Sequence, residues 1–291
     1  MKKNLKQNKI IIATGGTGGH VFPALALVDG LRSKGYIPIF ISDKRGKKFF
    51  ENDASLEFFI LPVKNIASNK NMKKIVSLLY LIASFMKAIY IILKIRPVVV
   101  IGFGGISSLP AVLMASFLRI PTVIHEQNAV FGRANRFLSN YANLILLSFE
   151  ETLNISKKHL RRSFVIGVPI REGFIAKKNY DNPVKNSKFI ILVIGGSQGA
   201  AVFSEIIPKV FQKLSINHKM ELKIIHQCRK SDTEQLIKYY SKTNISYEVH
   251  EFISNISGVI NNSHLVISRS GASTLFEVLA SNVPSILIPF K

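Results

Sequence analysis

Cysteine occurs once in the 291 residues, at Cys228, and aspartate only five times. One cysteine excludes a disulfide framework and fits a reducing compartment. No Cys/His cluster has zinc spacing. No two aspartates form a D-x-D pair, which argues against a diphosphate held through Asp-bound Mg²⁺. Neutralisation would fall to helix N-termini and backbone N–H groups. The pattern GxxxxGK[ST] is missing, which excludes a P-loop kinase or ATPase. Long apolar runs are scarce as well. The most apolar segment, Met72–Lys94, has a longest charge-free stretch of twelve residues, Ile75–Met86, which Lys87 interrupts. That is too short to span a bilayer.

Acidic residues are few overall: 17 Asp and Glu face 39 Lys and Arg, for a net charge of +22. The imbalance is uneven. Residues 1–171 carry 25 basic against 8 acidic residues, and residues 172–291 carry 14 against 9. A basic half suggests a polyanionic partner: nucleic acid, an anionic membrane surface or a pyrophosphate substrate. Compositional drift is the alternative for the total, but it explains the asymmetry less well. Nucleic acid is the weakest partner, because the basic residues are not interleaved with aromatics in a recognisable module. The N-terminus, MKKNLKQNK, is basic, but the apolar run after it is short and continues into glycines. It reads as strand and loop rather than signal peptide.

What the chain does have is glycine-rich turns where apolar strands hand over to helices. They read ATGGTGGH (Ala13–His20), GFGGISS (Gly102–Ser108), GGSQGA (Gly195–Ala200) and, with the same placement, SRSGAST (Ser268–Thr274). Exposed N–H groups at a helix start bind anions, and glycine lets a phosphate approach closely. Two such turns in each half suggest two phosphate-bearing substrates. The first turn is not a full GxGxxG, since position 21 is valine. Asp43, near the end of the second strand, occupies the place of a ribose-binding acid and keeps a minor nicotinamide reading open.

Strands are expected at Ile10–Ala13, Ile37–Ser42, Val98–Ile101, Thr122–His125, Leu144–Leu147, Phe164–Ile166, Phe189–Ile194, Leu222–His226, Tyr247–Glu251, Leu265–Ser268 and Ser285–Pro289. Most are apolar throughout, the pattern of strands buried on both faces of a parallel sheet. Helical stretches between them make an α/β chain with right-handed crossovers. The polar stretch Ala176–Lys188 reads as a linker between two halves. Met72–Lys94 reads either as a buried crossover helix or as a surface helix dipping into a membrane interface, with Lys70, Lys73, Lys74, Lys87 and Lys94 near head groups. One helix can serve both.

Five segments, GGTGGHVFPALALVDGL, GFGGISSLPAVLMA, HEQNAVFGRANR, VIGGSQGA and SRSGASTLFEVLASNVPSILIPF, occur in an order and spacing that closely resembles the MurG family of bacterial N-acetylglucosaminyltransferases of peptidoglycan synthesis. The resemblance covers nearly the whole chain. It implies two Rossmann-like domains facing each other across a cleft, the GT-B arrangement: residues 1–171 for the acceptor and the membrane, residues 172–291 for UDP-GlcNAc. The implied reaction is inverting transfer of N-acetylglucosamine from UDP-GlcNAc to the C4 hydroxyl of the muramic acid in lipid I. It forms lipid II at the cytoplasmic face of the plasma membrane, with the enzyme peripheral and with no cofactor or catalytic metal.

The resemblance also implies site residues. Thr17, Gly18 and Gly19 would lie beside the donor sugar, and Gly16, Gly104 and Gly105 would cradle the acceptor pyrophosphate. His20, followed by Pro23 in the first helical turn, is the candidate base, because an inverting transfer needs a group to take the hydroxyl proton near neutral pH. Glu126 is the rival. Read as residues alone, His20 could be a helix cap, and Glu126 an ion-pair partner holding the HEQN turn. Asn128 matches a sugar contact; asparagine also often closes turns. Arg171, Ser197 and Ile253 match donor contacts, as does the stretch Ala272, Ser273, Thr274, Leu275, Phe276 and Glu277. Glu277 would bind the ribose hydroxyls; its alternative is a solvent-exposed helix glutamate.

Two features depart from the family pattern. Val168 stands where asparagine is usual, and the chain ends at Lys291, just after the strand Ser285–Pro289. Family members continue with a donor-binding loop and further helices. The resemblance therefore implies an incomplete second domain, lower stability and reduced activity for this chain alone. The alternatives are a non-catalytic nucleotide-sugar-binding remnant, or another enzyme of the same fold: a glycolipid synthase or a nucleotide-sugar epimerase.

Overall fold

A computed structural model describes residues 8–51, 53–63, 71–175, 180, 188–195, 201–214, 221–243 and 245–289. The chain divides into two compact units, Met1–Pro169 and Ile170–Lys291.

The first unit runs β1 (Asn8–Ala13), α1 (Gly18–Leu25), α2 (Val28–Ser33), β2 (Tyr36–Asp43), β3 (Glu57–Leu61), α3 (Asn71–Ile95), β4 (Val99–Gly102), α4 (Ser108–Phe117), β5 (Thr122–Glu126), α5 (Arg133–Leu138), β6 (Leu144–Leu147) and β7 (Ser163–Val165). Its seven strands are all parallel, in the order β3-β2-β1-β4-β5-β6-β7. The unbroken apolar runs have a direct cause. Ile11, Ala13, Ile39 and Ile41 enter the core under α3 and α4, while Ile10, Ile12 and Phe40 enter the core under α1 and α2. Side chains alternate across a sheet, so a strand covered on both faces must be apolar at every position. Each fully buried isoleucine contributes roughly 1.5–3 kcal/mol.

Three sequence expectations need correction here. β3 was not among the expected strands. It is an edge strand, paired only with β2, and three of its five residues are only partly buried. Pro23 lies inside α1 rather than in its first turn. A proline there removes an N–H from the helical ladder, consistent with α1 ending at Leu25. The third concerns α3, whose stretch Ser77–Ile95 (mean hydropathy 1.9) is long and apolar enough, by length and composition, to cross a membrane. A charge-free run was too strict a measure, since single lysines interrupt a helix without ending its apolar character. Yet α3 joins β3 and β4 of one sheet, and Ala88, Ile91, Ile92 and Ile95 are buried. It is a crossover helix with one face in the core.

The second unit runs β8 (Phe189–Ile194), α6 (Ala201–Leu214), β9 (Leu222–Gln227), α7 (Thr233–Tyr240), β10 (Ser246–His250), α8 (Ile256–Asn261), β11 (Leu265–Arg269), α9 (Ala272–Ala280) and β12 (Ser285–Ile288). Its five parallel strands lie in the order β10-β9-β8-β11-β12. Again alternate residues serve two cores, Ile191 and Val193 on one face and Leu192 and Ile194 on the other. The division between units falls before Ile170, not in the polar stretch Ala176–Lys188. Phe174 is the reason: it is buried in the second core, and its carbonyl accepts from Ser281 Oγ at 3.0 Å. Of the polar stretch itself, only Tyr180 and Lys188 lie among the described residues.

Candidate active site

β1, β4 and β5 end side by side at the C-terminal edge of the first sheet, and each is followed by a loop carrying candidate residues. Ligands of open α/β sheets bind at this edge. After β1, Gly15 N donates to Gly104 O at 2.9 Å, and Phe103 N donates to Ala13 O at 2.8 Å. The first two glycine turns are thus bonded to each other. Their approach requires glycine at Gly105: φ is +78°, and a Cβ there would stand 2.7 Å from Gly15 Cα.

Thr17 precedes α1 in extended conformation, and its Oγ1 lies 2.8 Å from His20 Nδ1. Gly18 and Gly19 form the first turn of the helix. The His20 ring sits against Gly15 and Gly104, where added Cβ atoms would meet it at 3.0 and 3.3 Å. Burial holds the imidazole below its ordinary pKa. The charges of Glu126 and Asp43 oppose this, and that of Arg45 adds to it.

Glu126 ends β5 and is 2% exposed. Four hydrogen bonds occupy its carboxylate. Oε1 accepts from Asn128 N and Asn128 Nδ2, both at 3.0 Å; Oε2 accepts from Gly132 N at 2.9 Å and Asn135 Nδ2 at 2.8 Å. The carboxylate therefore holds the loop 127–132 and the start of α5 in one shape. Its neighbours brace the strand end. His125 Nε2 bonds Gly167 O at 2.9 Å, and Gln127 Nε2 donates to Phe103 O at 3.1 Å. A cavity of about 440 Å³ opens here, lined by His20, Gly104, Gly105, Glu126, Asn128 and Asn135 among others. Sequence reasoning missed Asn135 and Gln127. Both lie in the HEQNAVFGRANR segment, but nothing local marks Asn135 as the partner of a carboxylate nine residues earlier. Asp43, considered above as a ribose acid, is instead 2% exposed and ion-paired with Arg45 at 2.7 Å. Its acceptor sites are taken, so the nicotinamide reading loses its acid.

In the second unit, Gly271 precedes α9, and Ala272, Ser273 and Thr274 form the helix's first turn. Leu275, Phe276 and Glu277 follow on the same helix. Glu277 is not solvent-exposed as its alternative reading held. It is largely buried, and Oε1 accepts from Arg171 Nη2 at 2.6 Å and Nε at 3.1 Å. Burial raises its carboxyl pKa, and Arg171 opposes the rise. The Arg171 guanidinium lies 4.6 Å from the centre of the Phe174 ring, a cation–π contact. Ile253 packs against the core that holds Phe174 and Val278. Ser197 lies outside the described residues.

The sequence matches the glycosyltransferase family 28 N-terminal domain over residues 10–147 and the family 28 C-terminal domain over residues 190–291. A protein of Paramagnetospirillum magneticum named UDP-N-acetylglucosamine--N-acetylmuramyl-(pentapeptide) pyrophosphoryl-undecaprenol N-acetylglucosamine transferase is 38% identical over 283 residues. That alignment covers 97% of this chain and 76% of the relative. The crystal structure of Acinetobacter baumannii MurG is similar with a TM-score of 0.71 and 26% identity, over 97% of this chain and 79% of that one. A UDP-GlcNAc 2-epimerase of Methanocaldococcus jannaschii superposes with a TM-score of 0.63 at 18% identity, over 96% of this chain and 83% of that one. This last likeness is one of fold alone. With two matched domains and a 38% identical relative aligned over 97% of this chain, the chain belongs to the MurG family within glycosyltransferase family 28.

Proposed function

We propose that this chain transfers N-acetylglucosamine from UDP-GlcNAc to the C4 hydroxyl of the muramic acid of lipid I, giving lipid II and UDP in peptidoglycan synthesis. The observation that carries the reading is His20, set between two interlocked glycine turns at the mouth of a cavity in a chain with this family's domains. In the tautomer whose Nδ1–H donates to Thr17 Oγ1, 2.8 Å away, the lone pair is on Nε2, and a lowered pKa favours the neutral ring near neutral pH. Nε2 takes the C4 hydroxyl proton as the oxygen attacks C1 of the donor sugar. The C1–O bond to UDP breaks from the opposite face, UDP leaves with the electron pair, and the configuration inverts.

Glu126 serves as the anchor of the site rather than as the base. Four donors already fill its acceptor sites, so a proton taken there would displace one of the bonds that fix the loop carrying Asn128. Asn128 then offers its amide oxygen to the sugar. Gly16, Gly104 and Gly105 lie where an acceptor diphosphate would meet backbone N–H groups. In the second unit the start of α9 stabilises the departing UDP, and Glu277, already oriented by Arg171, accepts from the ribose hydroxyls.

The acceptor is a membrane lipid, and α3 provides the means to reach it. Leu78, Leu79, Ile82, Met86, Tyr90 and Leu93 are exposed. At 100° per residue they fall within an arc of roughly 120°, away from the buried face. Lys87 and Lys94 both lie beside one edge of the arc. An apolar stripe bordered by lysines suits an anionic interface, which supports a peripheral enzyme at the cytoplasmic face of the membrane.

The test is transfer of labelled N-acetylglucosamine from UDP-GlcNAc to a lipid I analogue by the purified 291-residue chain. We expect labelled lipid product, and a loss of about 100-fold or more in turnover for His20→Ala. Near-normal turnover by a folded His20→Ala protein would remove His20 from the chemistry.

A further inference from the structure

The loop after β2 is basic, with Lys44, Arg45, Lys47 and Lys48 in five residues. At its root, the buried Asp43 carboxylate must be paired to remain charged. Its Oδ1 accepts from Arg45 N at 2.8 Å and Arg45 Nε at 3.3 Å. Its Oδ2 accepts from Arg45 Nη2 at 2.7 Å and from Ser107 Oγ at 3.1 Å. Burial alone would raise this carboxyl; the bonds from Arg45 and Ser107 outweigh it and hold Asp43 below the ordinary value.

The pair touches both glycine turns. Ser107 belongs to the second. On the first, a Cβ at Gly16 would stand 2.0 Å from Asp43 Oδ1 and 2.7 Å from Arg45 Cβ. Gly16 is therefore required for the pair to seat against the turn. Asp43 engages one edge of the guanidinium, through Nε and Nη2, while the Arg45 side chain remains 52% exposed. Nη1 has no partner among the described residues. Neither do the backbone N–H groups of Gly16 and Thr17. A half-exposed guanidinium fixed in orientation beside unpaired N–H groups is a prepared ligand for an anion with oxygens on more than one phosphorus. Burial of Asp43 accounts for its need of a cation, but not for a guanidinium that keeps its other edge in solvent beside the first glycine turn.

We infer that Arg45 binds the diphosphate of the lipid acceptor through its outward guanidinium edge, together with the N–H groups of the first glycine turn, and that Asp43 is the positioning residue that orients it. The inference rests on the proposed function for the identity of the acceptor. A cation already held in place loses less conformational entropy on binding than a free surface arginine.

The experiment is steady-state kinetics with a short-chain, water-soluble lipid I analogue, on wild type, Arg45→Ala, Arg45→Lys and Asp43→Asn. We expect Arg45→Ala to raise the acceptor KM about tenfold with the donor KM unmoved. Arg45→Lys should recover part of the loss, because it keeps the charge without the fork. Asp43→Asn should raise the acceptor KM less than Arg45→Ala does. An unchanged acceptor KM in Arg45→Ala, or an equal rise in both KM values, overturns the inference. If Arg45→Ala does not fold, Arg45→Lys carries the same test, with a selective rise in acceptor KM expected. If wild type shows no transfer, the proposed function fails separately, and calorimetric titration with inorganic pyrophosphate decides the role of Arg45. Weaker binding by Arg45→Ala or Arg45→Lys than by wild type supports it; equal binding, or none by wild type, overturns it.

Discussion

His20 carries the sharpest consequence of single-residue chemistry. Burial lowers its pKa, and three charges adjust the result: Glu126 and Asp43 upward, Arg45 downward. A base must be unprotonated to act, so activity should be lost on acidification with an apparent pKa below the ordinary 6.5. Removing Arg45 removes a charge that disfavours the imidazolium. The acid limb of kcat/KM for Arg45→Ala should therefore move to higher pH than in wild type. A wild-type limb above pH 6.5 would mean that another group, or a differently placed histidine, controls the profile. The sequence made His20, Glu126 and Asn128 visible because HEQN and GGTGGH are compact motifs. It could not separate base from anchor. The division proposed here rests on the donors to Glu126, which arrive from positions 128, 132 and 135.

Between residues and whole units, β9 and α7 share a polar contact buried in the second core. His226, on β9, is fully buried, and its Nδ1 lies 2.9 Å from the hydroxyl of Tyr240 at the end of α7. Burial lowers the His226 pKa from 6.5 to about 4. The unfolded chain therefore binds a proton near pH 6.5 that the folded chain refuses until about pH 4. Stability from this group is complete above pH 6.5 and falls by about 3 kcal/mol as pH drops to 4. Denaturant titrations of wild type and His226→Gln at pH 7 and pH 4.5 test it: the variant should lose less stability on acidification. Equal losses would place the acid sensitivity elsewhere. Element existence was legible because both-face burial writes itself as unbroken apolar runs. β3 escaped because an edge strand, half-covered and ending just before Pro62, carries a weaker version of that signal.

For the molecule as a whole, charge and apolar surface act together. Most of the excess of basic residues lies in residues 1–171, the portion that also bears the exposed stripe of α3. Such a surface should bind vesicles containing anionic lipid, and added salt should weaken the binding without abolishing it, since the apolar contribution is unscreened. In flotation assays the double substitution Ile82→Glu and Met86→Glu should release the protein from vesicles. Flotation equal to wild type would show that α3 is not the contact. Both residues are exposed, so the substitutions spare the core.

The sequence by itself determined the α/β class, the strand–turn–helix placement of the glycine turns and the family, because these reside in contiguous residues. Period, glycine position and motif order need no partner from elsewhere in the chain. Tertiary structure decided what depends on distant residues meeting. It joined Gly15 to Gly104 and Gly105, which makes two turns into one site. It paired Arg171 with Glu277, 106 residues apart, and so buried a glutamate that helix position alone would leave in solvent. It seated Asp43 and Arg45 between two turns, through Gly16 on one side and Ser107 on the other. Hydrogen bonds and steric approach act over a few ångströms of space, and only the folded sheet brings those residues within that range.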